Sequence, residues 1–317
     1  MILRTKIFMF GGQGSQYQLM GKNLFEKSSV FRKHLYICED IIKRTCGFSL
    51  IENLYIKPIM IDNESILFSH LAIFSIEYSL AKYIIELGVT PDYLLGTSLG
   101  EFTSVAISNA LDIEDVINLL ISQANALDKK RNDSCMVAIF KNKDFYYSDH
   151  ILYENSEIAS INFKNHFVIS GYNSSIYKIM DHLRRNKIMH QKVNTNMGFH
   201  SKSIDFAEKE FQNALIRCSW KKTNFKIISA MLATTVSNFP DNFLWDVIRK
   251  PIHFQEVIEN LESYGHYDYI DLTPSGTLSL FVKYNITRCS TSKIHNILSY
   301  SKLSYDGTDK MLIELKN

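Results

Sequence analysis

Ser98 stands in Gly96-Thr97-Ser98-Leu99-Gly100, a serine with a glycine two residues to either side. That spacing suits a nucleophile on a sharp strand-to-helix turn. Side chains at the flanking positions would clash there. The turn lifts the hydroxyl to a helix N-terminus, where the backbone N–H of Leu99 can face a developing oxyanion. A surface turn with a capping serine is the bland alternative. A serine nucleophile also needs a base. Of ten histidines, His200 in Met197-Gly198-Phe199-His200-Ser201 stands out, because it follows a strand-like run where the chain returns to its main pattern. His253 and His166 are rivals, and composition does not choose among them. A solvated or core-packed histidine is the alternative for each.

The elements that must position these residues follow from periodicity. Residues 7–10 form an apolar run that ends in Gly11-Gly12-Gln13-Gly14-Ser15, which predicts a buried strand entering a tight loop. Helical patterns follow over 21–45 and 68–87. Residues 92–95 predict a second buried strand leading into the serine turn, and 102–110 predict the helix after it. Strand, glycine turn and helix together predict an α/β fold with functional loops at strand ends.

Residues 133–197 change character. Strand-like 136–140, helical 143–152, a hairpin from 158–162 and 167–170, a helix over 174–185 and a strand over 190–194 give the order βαββαβ. That order predicts a small ferredoxin-like α+β subdomain, inserted into a large hydrolase-like α/β domain with a mostly parallel sheet. The large domain is assigned to 1–132 and 198–317. In its second part, strands are expected at 226–229 and 267–272, with a helix over 254–264. The last thirty or so residues are polar and weakly patterned.

The 317 residues are 46% hydrophobic and 21% charged, with net charge +2. This is globular composition with no basic block, so nucleic acid is not expected as the partner. The five cysteines are odd in number and widely spaced, which points to free thiols rather than disulfides or zinc. No signal peptide or membrane span is expected, so a cytoplasmic location is.

Six segments in order resemble the malonyl-CoA:acyl carrier protein transacylase family, which includes the acyltransferases of fatty-acid and polyketide synthases. Phe10-Gly11-Gly12-Gln13-Gly14-Ser15-Gln16 resembles the FPGQGSQ opening, and Gly96–Glu101 resembles GHSxGE. Ile161-Asn162 with Val168-Ile169-Ser170-Gly171 resembles the N…VISG of the inserted subdomain. Gly198-Phe199-His200-Ser201 resembles AFHS. Lys250-Pro251-Ile252-His253-Phe254 resembles (N/S)PVxF, and Thr273-Pro274-Ser275-Gly276-Thr277-Leu278 resembles GPxxxL. The resemblance implies a Ser98–His200 dyad and an acyl-enzyme. It implies an oxyanion hole from the N–H groups of Gln13 and Leu99, and a backbone carbonyl near Ala230 orienting the histidine. It implies no metal and no resident cofactor: the substrate rides on the phosphopantetheine of an acyl carrier protein, with coenzyme A thioesters as a further source.

Three departures bear on the acyl group. Gln123 stands where malonyl-type members carry an arginine that grips the malonyl carboxylate. A neutral glutamine would leave that carboxylate desolvated without a counter-charge. Thr97 replaces the usual histidine beside the nucleophile, and Ser69-His70 replaces a common Thr-Gln near the acyl pocket. Phe199 keeps the malonyl-type phenylalanine. Lys129, Lys130 and Arg131 are close in sequence to Gln123 but about two helical turns onward. Together with Arg184, Arg185 and Lys187 they are candidates for docking an acidic carrier protein. The pattern resembles the acyl hydrolases of trans-acyltransferase polyketide synthases. Those enzymes remove stalled acyl groups from carrier proteins, a proofreading role. A transacylase using malonyl or another acyl unit is the alternative, and a non-catalytic carrier-binding module is the third reading.

Overall fold

The structure is a computed structural model and describes residues 4–57, 65–130, 133–298 and 315. Its strands, in chain order, are β1 Thr5–Phe10, β2 Tyr93–Gly96, β3 Ser134–Ile139, β4 Glu157–Phe163, β5 His166–Tyr172, β6 His190–Lys192, β7 Lys226–Ser229, β8 Thr234–Val236, β9 Tyr267–Asp271 and β10 Lys293–Asn296. Six build one sheet in the order β10-β9-β1-β2-β7-β8, and four build a second in the order β4-β5-β3-β6. The first sheet is parallel except for β8, which returns antiparallel on β7.

The central strands of the large sheet are covered on both faces, which is why they read as unbroken apolar runs rather than alternating ones. Their side chains still alternate. Phe8, Phe10 and Leu94 enter a core formed with the helices Ser29–Cys46, Ile66–Glu86 and Ile113–Asp128. Ile7, Met9, Leu95 and Ile228 enter a separate core beneath the helices Phe254–Tyr264 and Thr277–Asn285. The long helix Ile66–Glu86 starts at Ser65, whose hydroxyl accepts from Phe68 N at 3.1 Å.

The small sheet divides its faces in the same way. Cys135, Val137, Ile139, Phe167 and Ile169 pack with Ile176, Ile179 and Leu183 of the helix Asn173–Arg185. The opposite face, with Met136, Ala138 and Val168, joins the main core and lines the cleft. Element order and strand order together are those of a ferredoxin-like unit. Main-chain bonds tie β4 of the small sheet to Ile252, just before the helix Phe254–Tyr264. Ile161 N donates to Ile252 O at 2.8 Å, and Ile252 N donates to Ala159 O at 2.9 Å. Asn285 Nδ2 adds a bond to Asn162 O at 2.7 Å.

Two local readings need correction. The helix after the serine turn begins at Leu99, not at 102, because Gly100 N and Glu101 N already bond back to Thr97 O and Ser98 O at 2.9 Å. The weakly patterned final stretch contributes β10, an edge strand paired parallel to β9. Only one of its four residues, His295, is buried, so it carries almost no apolar signal. All five cysteines are free thiols. Among the described residues, no helix is long and apolar enough to cross a membrane.

Candidate active site

β1 and β2 lie side by side and parallel, with Phe10 opposite Gly96, so the loops leaving their C-terminal ends are neighbours. One loop carries Gly11 to Ser15 and the other carries Ser98. Their approach is close. A Cβ on Gly100 would fall 2.1 Å from the carbonyl oxygen of Phe10, and one on Gly96 would fall 2.5 Å from Glu101 Cα. A Cβ on Gly12 would stand 3.6 Å from Ser98 Oγ and 3.5 Å from Leu99 N. Glycine leaves this space beside the Ser98 hydroxyl open. The N–H of Leu99, the first residue of the helix, and the loop residue Gln13 border this space.

Ser98 has φ 53° and ψ −124°, a conformation that non-glycine residues rarely adopt. Its Oγ lies 3.1 Å from His200 Nε2. His200 also has a positive φ, 60°, and its backbone N–H is held by Ile248 O at 2.9 Å. Its Nδ1 is 2.7 Å from the carbonyl of Lys250. A carbonyl only accepts, so Nδ1 carries the proton and Nε2 is left to accept from Ser98. The orienting carbonyl is thus that of Lys250 and not of Ala230. Ala230 O is engaged instead by His253 N at 2.8 Å. Burial lowers the His200 pKa to about 4, with the Lys250 bond opposing and Arg249 adding to the shift. The resting imidazole is therefore neutral and ready to take a proton.

The rival histidines have other roles. His166 lines the same cavity, but its Nδ1 meets Asn162 Nδ2 at 3.1 Å and its ring stacks on Phe163 at 4.9 Å. His253 precedes the helix Phe254–Tyr264.

The cavity around Ser98 measures about 290 Å³. Thr97, Gln123, Phe199 and His70 all line it and are all buried. Thr97 Oγ1 is turned back to Phe10 O at 3.3 Å. The rings of His70 and Phe199 lie 5.7 Å apart. Burial lowers the His70 pKa to about 4 as well, so its ring is neutral near pH 7. Gln123 is 1% exposed. Among the described residues that line the cavity there is no lysine, arginine, aspartate or glutamate.

The cationic candidates lie elsewhere. Lys129 is paired with Glu210, Lys130 sits over the Phe206 ring at 5.0 Å, and Arg184 is paired with Asp181. Arg185 and Lys187 are exposed, and Arg131 lies outside the described residues.

Sequence reasoning missed the acids behind the site. Glu77 is fully buried; its carboxylate accepts from Gly11 N at 2.8 Å and from Thr103 Oγ1 at 3.0 Å. It ties the Gly11 loop to the helix behind Ser98. Glu101 accepts from Ser229 Oγ at 2.9 Å and Met231 N at 3.1 Å. Burial raises its pKa to about 8 and raises that of Glu77 well above the usual range. A lone acid inside the apolar run 71–84 was the available signal for Glu77.

Known proteins share this fold and family. The profile of the acyl transferase domain family matches residues 7–309. The polyketide biosynthesis acyltransferase homolog PksD of Bacillus subtilis is 40% identical over 295 residues, covering 92% of this chain and 91% of its own. The corresponding BaeD of Bacillus velezensis is 37% identical over the same shares. Among solved structures, the acyltransferase domain from module 8 of the salinomycin polyketide synthase superposes with TM-score 0.90 at 21% identity, over 98% of this chain and 74% of that one. The malonyl CoA-acyl carrier protein transacylase of Clostridium perfringens gives 0.83 at 22% identity, over 98% and 97%. With its glycine loop, serine turn and inserted four-stranded sheet, this chain belongs to the acyl transferase domain family.

Proposed function

We propose that this acyltransferase-family enzyme is a trans-acting acyl hydrolase that removes short uncharged acyl groups from acyl carrier proteins of a polyketide synthase, in the cytoplasm. The observation that carries this is the absence of any lysine or arginine among the described residues lining the cavity beside Ser98. A malonyl carboxylate there would lose its hydration with no counter-charge, at a cost of several kcal/mol. An acetyl group meets no such penalty.

Ser98 Oγ attacks the thioester carbonyl while His200 Nε2 takes its proton. The oxyanion faces the N–H groups of Leu99 and Gln13. Collapse expels the pantetheine thiolate, which takes the proton from His200. Water then gives a proton to the same nitrogen and attacks the serine ester. Ser98 recovers its proton and a free acid leaves. Lys250 O supports the imidazolium formed in each half-reaction.

The test is mass spectrometry of acetyl-loaded carrier protein incubated with the enzyme. Conversion to the free thiol form, with acetate released and with no activity in Ser98→Ala, is expected. Efficient transfer of malonyl from its coenzyme A ester onto carrier protein, without hydrolysis, would establish the transacylase instead.

A further inference from the structure

The cavity is apolar along Met136, Ala138, Val168 and Phe199, yet three of its lining side chains, Gln13, His70 and Gln123, carry a buried polar atom with no partner among the described residues, and the last two belong to the helices behind the apolar wall. His70 Nδ1 and Gln123 Oε1 are buried and have no hydrogen-bond partner among the described residues. His70 is 3% exposed and Gln123 is 1% exposed. They come from neighbouring helices, Ile66–Glu86 and Ile113–Asp128, which pack against each other. Phe199, adjacent in sequence to the base, lies against His70.

Buried polar groups are nearly always satisfied, and those left open in an enzyme pocket define what the pocket is built to hold. A cation is disfavoured because no carboxylate lines the cavity, and a carboxylate is disfavoured because no cation does. What matches is a neutral group that can both donate and accept. A hydroxyl does so: it gives its hydrogen to the glutamine amide oxygen and accepts from an imidazole N–H. The lowered pKa of His70 keeps the ring neutral, and in the tautomer with the hydrogen on Nδ1 it supplies a donor without a charge.

We propose that the acyl pocket selects short hydroxyacyl groups over their deoxy counterparts, with Gln123 and His70 as the residues that read the hydroxyl. The proposal rests on the acyl-enzyme reading of Ser98 given above. The aliphatic part of the chain would lie on Met136, Ala138, Val168 and Phe199, with the hydroxyl at the polar end.

The experiment compares matched pairs on the same carrier protein: 3-hydroxybutyryl with butyryl, and lactyl with propionyl. The readout is single-turnover acylation of Ser98, followed by intact-protein mass spectrometry. Reading acylation separates selectivity from the fate of the acyl-enzyme. In at least one pair the hydroxylated group is expected to load about tenfold faster, the worth of one net hydrogen bond. In Gln123→Met, which keeps length but loses the amide, the ratio should fall towards one. His70→Phe should lower it independently. Equal loading of both members in both pairs overturns the proposal while leaving acyl-enzyme formation intact. A preference that persists unchanged in both variants overturns the assignment to these residues. Failure to load any acyl group overturns this proposal and the Ser98 reading together.

Discussion

Replacing Gln123 by arginine tests the link between pocket charge and acyl choice. The position is 1% exposed, and no acidic side chain among the described residues lines the cavity. A guanidinium placed there has no partner in the free enzyme. An uncompensated buried charge costs about 3–5 kcal/mol, a large part of the ~5–15 kcal/mol that holds a typical domain together. Gln123→Arg should therefore melt several degrees lower. A malonyl group on Ser98 would bring a carboxylate within reach and recover much of that loss, whereas an acetyl group would not. If about 3 kcal/mol of it returns in the acylation transition state, the malonyl-to-acetyl rate ratio rises on the order of 10². The assay is quenched-flow acylation by the two thioesters, scored by the mass of the intact enzyme, with thermal melts before and after malonyl loading. The reasoning is refuted if wild type already prefers malonyl and the variant leaves the ratio where it was. It is equally refuted if Gln123→Arg melts like wild type, since the buried charge would then be compensated by something unrecognised.

Three further outcomes are expected. Acylation of Ser98 should stay near its maximum as the pH falls from 7 to 5 and drop only near pH 4, because His200 must be neutral to accept a proton and burial lowers its pKa to about 4; a single-turnover profile bending near 6.5 would contradict this, and Ser98→Ala should give no acyl-enzyme at any pH. Glu101→Gln should stabilise the protein at pH 8 relative to pH 5. The Glu101 pKa is raised by burial to about 8, so its folded-state stability is present below the unfolded value and lost as pH rises through about 8; the gain should reach roughly 2–4 kcal/mol at the upper end, at ~1.4 kcal/mol per unit, and denaturant melts showing no pH dependence of the difference would count against it. Gly100→Ala should abolish soluble, folded protein or destabilise it by at least the ~3 kcal/mol of severe overpacking, since its Cβ would meet the Phe10 carbonyl at 2.1 Å; a variant with wild-type melting would show that the two loops are not so closely apposed.

What could be read from the sequence was local. Ser98 betrays itself because strand, turn and helix are contiguous and glycine is required where backbones touch. The small sheet shows as a change of pattern, and its strands fall between Ser134 and Lys192. His200 could be tied to Ser98 only through resemblance, because 102 residues separate them and ten histidines compete. The Lys250 carbonyl was missed for a different reason: every residue has a carbonyl, so no side chain announces which one a histidine will meet. Glu77 escaped because an acid in an apolar helix has no meaning until its partner, Gly11 N, is brought 66 positions along the chain to it.

The main-chain bonds between β4 and Ile252 have a practical consequence for engineering. The segment that small-sheet strand β4 grips is the same short stretch whose Lys250 carbonyl holds the His200 ring. Exchanging residues 133–197 with those of a relative would therefore replace one half of a matched seam and leave the other. The graft would fold yet hold its imidazole slightly askew. Chimeras intended to change carrier or acyl preference should move 250–253 together with the small sheet, treating the two stretches as one interchangeable part.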